Sequence, residues 1–223
     1  MTTLIANLIR WRWPLALFSL CLLGFALLGL QHFSFDGSPR EFFADDDPSY
    51  ERFQALEDTY GSDYRIFFML SAREGSMLDP ENLQALSEMT EQAWTLPFVR
   101  RVDSLSNFQF THSTEDELFV EDMFGEQVLV DPKALKSRQN KAITDPDIVN
   151  RLVSPDGKHV SLVMSLNLTQ EQSQTPEAAE LVEQAYALAE SIKDQYPNIE
   201  TAATGGLLST YHNMQVAQSD MKL

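Results

Sequence analysis

From Trp13 to Leu30 every position is uncharged and most are apolar, whereas beyond residue 33 hydrophobic positions recur only with the periods of amphipathic elements. Eighteen helical residues rise about 27 Å, close to the ~30 Å hydrocarbon core of a bilayer. The pattern therefore predicts a transmembrane helix over 13–33, with Arg10, Trp11, Arg12 and Trp13 as membrane-interface anchors on one side and His32 and Phe33 on the other. Past it, Asp47-Pro48 reads as a cap and first position of a helix over about 48–60, with Gly61 just past its end. Tyr50, Phe53, Leu56, Glu57 and Tyr60 fall near one face of that helix.

Tyr64–Leu70 is a β-branched and aromatic run between glycines, a buried strand. Asp79-Pro80 opens a helix with apolar steps at Leu83, Leu86, Met89 and Ala93, and an extended segment follows over Phe98–Phe110. Residues 111–145 are less regular, with helical pieces and a loop, and Asp145-Pro146 starts a brief helix through Leu152. Ser154-Pro155-Asp156-Gly157 is turn chemistry. Val160, Leu162, Met164, Leu166 and Leu168 then alternate as a strand, Thr175-Pro176 opens a helix to about Gln195, and 199–204 forms a last strand. Two strand–helix–strand units of this kind define an α+β chain with a ferredoxin-like, split βαβ sheet. The segments are a cytoplasmic N-terminus (1–12), the transmembrane helix (13–33), a linker and helix (34–61), an α/β domain (62–206) with an irregular insertion at 111–145, and a closing helix (207–223).

Charge sets the orientation. Arg10 and Arg12 are the only charges before the apolar run, and the remainder carries 14 basic against 33 acidic residues, a net −19. Basic residues next to a span stay in the cytoplasm, so 34–223 is expected in the periplasm of a bacterial inner membrane. A cleaved signal peptide is the rival reading, but the run is longer than the usual h-region and Gln31–Asp36 offers no small-residue cleavage site. The one cysteine, Cys21, reads as a buried apolar thiol. A surface this acidic is unsuited to nucleic acid, which needs clustered Lys and Arg.

The search for chemistry returns little. The four histidines are scattered with no metal-binding spacing, Gly205-Gly206 lacks the lysine and loop length of a nucleotide site, and Ser104 and Ser154 sit in no nucleophile motif. No catalytic residue, cofactor or metal is therefore nominated, and the chain is not read as an enzyme. The residues singled out are Phe108, Phe110, Phe119, Met123 and Phe124, adaptable apolar side chains in the irregular stretch that could face a path for amphiphilic cargo.

The order of pieces resembles the beginning of an exporter of the resistance-nodulation-division (RND) superfamily, in the branch of MMPL-type and hydrophobe exporters. The resemblance is carried by the single amino-terminal helix, Asp47-Pro48-Ser49-Tyr50 leading to Tyr60–Asp63, Leu96–Val99 leading to Val102–Asn107, Arg151–Lys158, and Thr204-Gly205-Gly206. It implies a porter-type periplasmic domain that handles lipidic, hydrophobic or amphiphilic cargo within a proton-driven pump. Its partners would be the lipid bilayer, the cargo and the rest of the same polypeptide, with a homo-oligomer also compatible. Proton-relay residues would lie beyond Leu223. The alternative is a stand-alone, membrane-anchored periplasmic sensor or binding module.

Overall fold

A computed structural model describes residues 12–30, 47–60, 64–113, 117–169 and 171–220. The chain divides into two units, Met1–Asp36 and Gly37–Leu223. The first contains helix α1 (Arg12–Leu30). Cys21 is exposed on it, not buried as expected. Among the described residues no helix is long and apolar enough to cross a membrane. The helical part of the expectation over 13–33 is thus seen at 12–30, and the crossing itself is not. Arg10, Trp11, His32 and Phe33 lie outside the described residues, while Arg12 and Trp13 are exposed at the start of α1.

In the second unit, α2 (Pro48–Tyr60) begins where the sequence places it. The Ser49 amide donates to Asp47 Oδ1 at 2.7 Å, and the Tyr50 and Glu51 amides donate to its carbonyl, so Asp47 satisfies the free donors of the first turn. Phe53 and Leu56 on this helix remain exposed.

The main sheet comprises β1 (Arg65–Ala72), β2 (Val99–Ser104), β5 (His159–Leu166) and β6 (Ile199–Thr204), in the spatial order β2-β5-β1-β6. Every pairing is antiparallel. Helix α3 (Pro80–Trp94) joins β1 to β2, and α6 (Pro176–Gln195) joins β5 to β6. Each helix therefore links two strands with another strand between them. The period-two pattern sends Ile66, Phe68 and Leu70 of β1 and Val160, Leu162, Met164 and Leu166 of β5 to one face. Leu83, Leu86 and Met89 of α3 and Leu181, Ala185 and Ile192 of α6 are buried in the same core. Each such large side chain contributes about 1.5–3 kcal/mol by leaving water. On the other face Phe67 and Met69 stay partly open to solvent.

Between β2 and β5 the structure departs from expectation three times. The extended segment over Phe98–Phe110 is two strands, not one. β2 stops at Ser104 because the Asn107 side chain folds back, accepting from the Ser104 amide at 2.9 Å and donating to the Val102 carbonyl at 2.8 Å. The insertion at 111–145 is more regular than the sequence suggested: β3 (Gln109–Ser113) and β4 (Leu118–Asp122) form a separate two-stranded ribbon. It is followed by α4 (Glu126–Val130) and α5 (Pro132–Thr144), the latter capped by Asp131, whose carboxylate accepts from the Lys133 amide. No helix forms over Asp145–Leu152. Those residues make turns, with Asn150 at φ 64°, and the Leu152 carbonyl accepts from the Ser161 amide of β5 at 2.9 Å, which draws the segment out as a strap on the sheet.

The last strand ends against β1. A Cβ on Gly205, whose φ is 152°, would lie 2.2 Å from the Arg65 carbonyl oxygen, so only glycine lets the chain pass there into α7 (Gly206–Asp220).

Candidate functional site

The five residues proposed to face cargo do not share one cleft. Met123 and Phe124 are wholly inside the core at 0% and 1% exposure, which corrects the expectation for these two. They are drawn in because the Met123 and Phe124 amides donate to the Phe108 and Ser106 carbonyls, tying the end of the ribbon beneath the domain. Phe108 and Phe110 are partly buried against that core, and Phe119 alone is exposed, at 41%.

What the ribbon does bring together is a square of side chains on one face. Phe110 pairs with Glu121 and His112 with Phe119 across the two strands. The His112 ring stacks on Phe119 with centroids 5.3 Å apart and tilts toward Phe110 at 5.7 Å. Arg138 of α5, only 8% exposed, lies over the Phe110 ring at 3.5 Å and pairs with the Glu121 carboxylate. His112 Nδ1 is 3.6 Å from that carboxylate, too long for a hydrogen bond. Among the described residues, His112 Nδ1 and Arg138 Nη1 are buried without a hydrogen-bond partner. The cation–ring contact and the ion pair fasten ribbon to helix. Nothing in the sequence spacing sets Arg138 against Phe110.

The stretches that carry the resemblance hold local structure. In Val102–Asn107, Ser104 and Ser106 form a buried hydroxyl triangle with Thr90 of α3, with Oγ–Oγ distances of 2.7–3.1 Å. Phe98, after Pro97, sits at φ 61°, a costly conformation for a bulky side chain, at the bend from α3 into β2. In Arg151–Lys158, Asp156 accepts from the Ser154 hydroxyl at 2.6 Å and the Lys158 amide at 3.1 Å, which together hold its carboxyl below the usual range. Residues 61–63 of the Tyr60–Asp63 stretch lie outside the described residues.

Catalytic groupings are sparse. Ser71 and His159 face each other on β1 and β5, with Oγ 2.8 Å from Nδ1. They are 88 positions apart, and only the strand register joins them. Among the described residues no carboxylate hydrogen-bonds to the other ring nitrogen, so the pair lacks the orienting group of a nucleophilic triad. No group of three or more His, Cys, Asp or Glu capable of holding a metal ion occurs among the described residues.

A cleft of about 300 Å³ lies between α6 and α7. Ala178 and Leu207 floor it, and Pro176, Tyr211 and Met214 wall it. The Tyr211 hydroxyl donates to Glu183 Oε1 at 2.9 Å and accepts from Gln215 at 2.7 Å. The neighbouring carboxylate pushes the phenol up from its ordinary range. None of the five sequence-selected residues lines this cleft. Both helices were legible in the sequence, but the space between them was not. Comparison with known protein families finds none whose pattern matches the chain, and comparison with curated proteins finds no relative.

Proposed function

We propose that this chain is the amino-terminal part of a proton-driven inner-membrane exporter of the RND/MMPL type. In this reading the apolar run at 13–30 is the anchor, the N-terminus is cytoplasmic, and the unit from Gly37 onward is the periplasmic domain that handles lipidic, hydrophobic or amphiphilic cargo. The observation that carries the reading is the strand order β2-β5-β1-β6 with helices joining non-adjacent strands. That order is what a ferredoxin-like, porter-type sheet requires, and it comes after an uncharged apolar run, a linker and a helix in the sequence. The charge asymmetry adds support: two arginines precede the run and an acidic domain follows it.

The domain's part would be binding and orientation of cargo, with proton coupling supplied by the rest of the polypeptide. The test is a topology assay in a bacterial host. Alkaline phosphatase fused after Leu223 is expected to be active and membrane-bound, while a green fluorescent protein fused there stays dark. Active phosphatase in the soluble periplasmic fraction, or a fluorescent fusion, removes the anchor and with it the exporter. Reading the coding sequence past Leu223 separates the exporter from a membrane-anchored sensor or binding module: several further apolar stretches of about 20 residues favour the former, and a stop codon there favours the latter.

A further inference from the structure

The cleft between α6 and α7 has a charge character that selects its occupant. Its volume of about 300 Å³ is at the small end of ligand sites, enough for one compact group with apolar arms. No lysine, arginine or histidine lines it. The hydroxyl of Tyr211, one of its lining residues, donates to the Glu183 carboxylate at 2.9 Å. Tyr186 is exposed one turn further along α6.

The other feature that could attract an anion, the amino-terminal end of α6, is already taken. The Glu177 carboxyl, in the first turn of α6, is held below the usual range, foremost by its own backbone amide. An anion would therefore meet a carboxylate beside Tyr211 and another at the helix end. A cation would gain Glu183 and the tyrosine faces, while its carbon substituents covered Leu207, Ala178 and the polarizable Met214.

We propose that this cleft binds a small organic cation with apolar arms, an alkyl- or arylammonium group. The inference deepens the exporter reading by giving the sign of the cargo's charge, and it rests on that reading only for onward transport. Binding itself is testable without transport.

The experiment uses the full chain in phosphatidylcholine nanodiscs with ¹³C-methyl methionine, the Met214 resonance being assigned with Met214→Leu. Benzyltrimethylammonium is titrated beside benzenesulfonate and benzyl alcohol, its anionic and neutral counterparts. The ammonium probe is expected to shift Met214 saturably while the core residues Met89 and Met164 stay still. Glu183→Gln, at an exposed position, should weaken that binding about five- to ten-fold, the effect of losing one close charge contact (about 1–1.4 kcal/mol). It should leave benzyl alcohol unaffected. Tyr211→Phe should weaken it less, since the ring remains and only the grip on the carboxylate is lost. A silent Met214, equal shifts with all three probes, or unchanged affinity in Glu183→Gln overturns the proposal. Those outcomes leave the topology result untouched, and a failed topology assay does not alter the titration.

Discussion

The main sheet and the β3–β4 ribbon are both antiparallel, yet they are held by different means. β5 buries four side chains at alternate positions between neighbours on both sides, whereas all five residues of β4 are exposed. A two-stranded ribbon in water is marginal by itself. This one depends on Arg138 at one place and on the buried Met123-Phe124 step at its end. The sheet should therefore set global stability, while the ribbon opens locally at lower cost.

The largest effects belong to the sheet. Phe68→Ala removes a fully buried ring from central strand β1 and should cost about 3–5 kcal/mol in urea unfolding. Phe119→Ala on the ribbon deletes the same ring from a side chain that is already 41% exposed, and should cost less than about 1 kcal/mol. Equal losses would erase the distinction between the two regions. Gly205→Ala is next: its new methyl would meet the backbone carbonyl of Arg65, which cannot turn aside as a flexible side chain would. A loss of roughly 1–3 kcal/mol is expected, read as a lower urea midpoint with an unchanged slope.

Arg138→Met tests the ribbon's fastening. Methionine keeps an aliphatic stem over Phe110 but loses the charge, and the half-exposed Glu121 can recover water, so the cost should be about 1–2 kcal/mol. The diagnostic readout is hydrogen exchange: amides of β3 and β4 should lose protection while those of β1 and β5 keep theirs. A double-mutant cycle with Phe110→Leu should return about 0.5–1 kcal/mol for the cation–ring contact. Uniform loss of protection across both regions would mean that the ribbon unfolds only with the sheet.

The same contrast explains what could be read in advance. The main-sheet strands and the helices α2, α3, α6 and α7 follow from local signals: alternation at Val160–Leu166, apolar steps at Leu83–Ala93, and Asp-Pro or Thr-Pro starts. Their order even implies the sheet, because two strand–helix–strand units have few ways to pair. The ribbon was hidden because β4 mixes polar and apolar residues on both faces, Leu118, Val120 and Asp122 on one and Phe119 and Glu121 on the other, and therefore carries no period-two signature. The strap at Asp145–Val153 was misread because Asp-Pro is helix-starting chemistry locally, and only the distant Ser161 supplies the competing hydrogen bonds. Of the sites, the aromatic residues were visible as types. Their separation into core and surface, and the cleft between α6 and α7, depend on contacts between segments far apart in the chain.

The smallest predicted effect concerns the turn that feeds β5. Asp156 has its carboxyl held low by the Ser154 hydroxyl and, next, by the Lys158 amide. A carboxyl whose folded value lies below its unfolded value of about 3.9 contributes stability that is full above that value. The contribution is lost as pH falls through the folded value, when the proton displaces both donors. Asp156→Asn should therefore flatten the part of the melting-temperature profile below about pH 4 that this group supplies, with little change near pH 7 because the site is open to solvent. The accompanying gain in exchange at the Lys158 and His159 amides should stop short of β3 and β4. If acid loosens the ribbon's amides in step with these two, the turn and the ribbon share one opening unit, and the division drawn between sheet and insertion moves to include the strap.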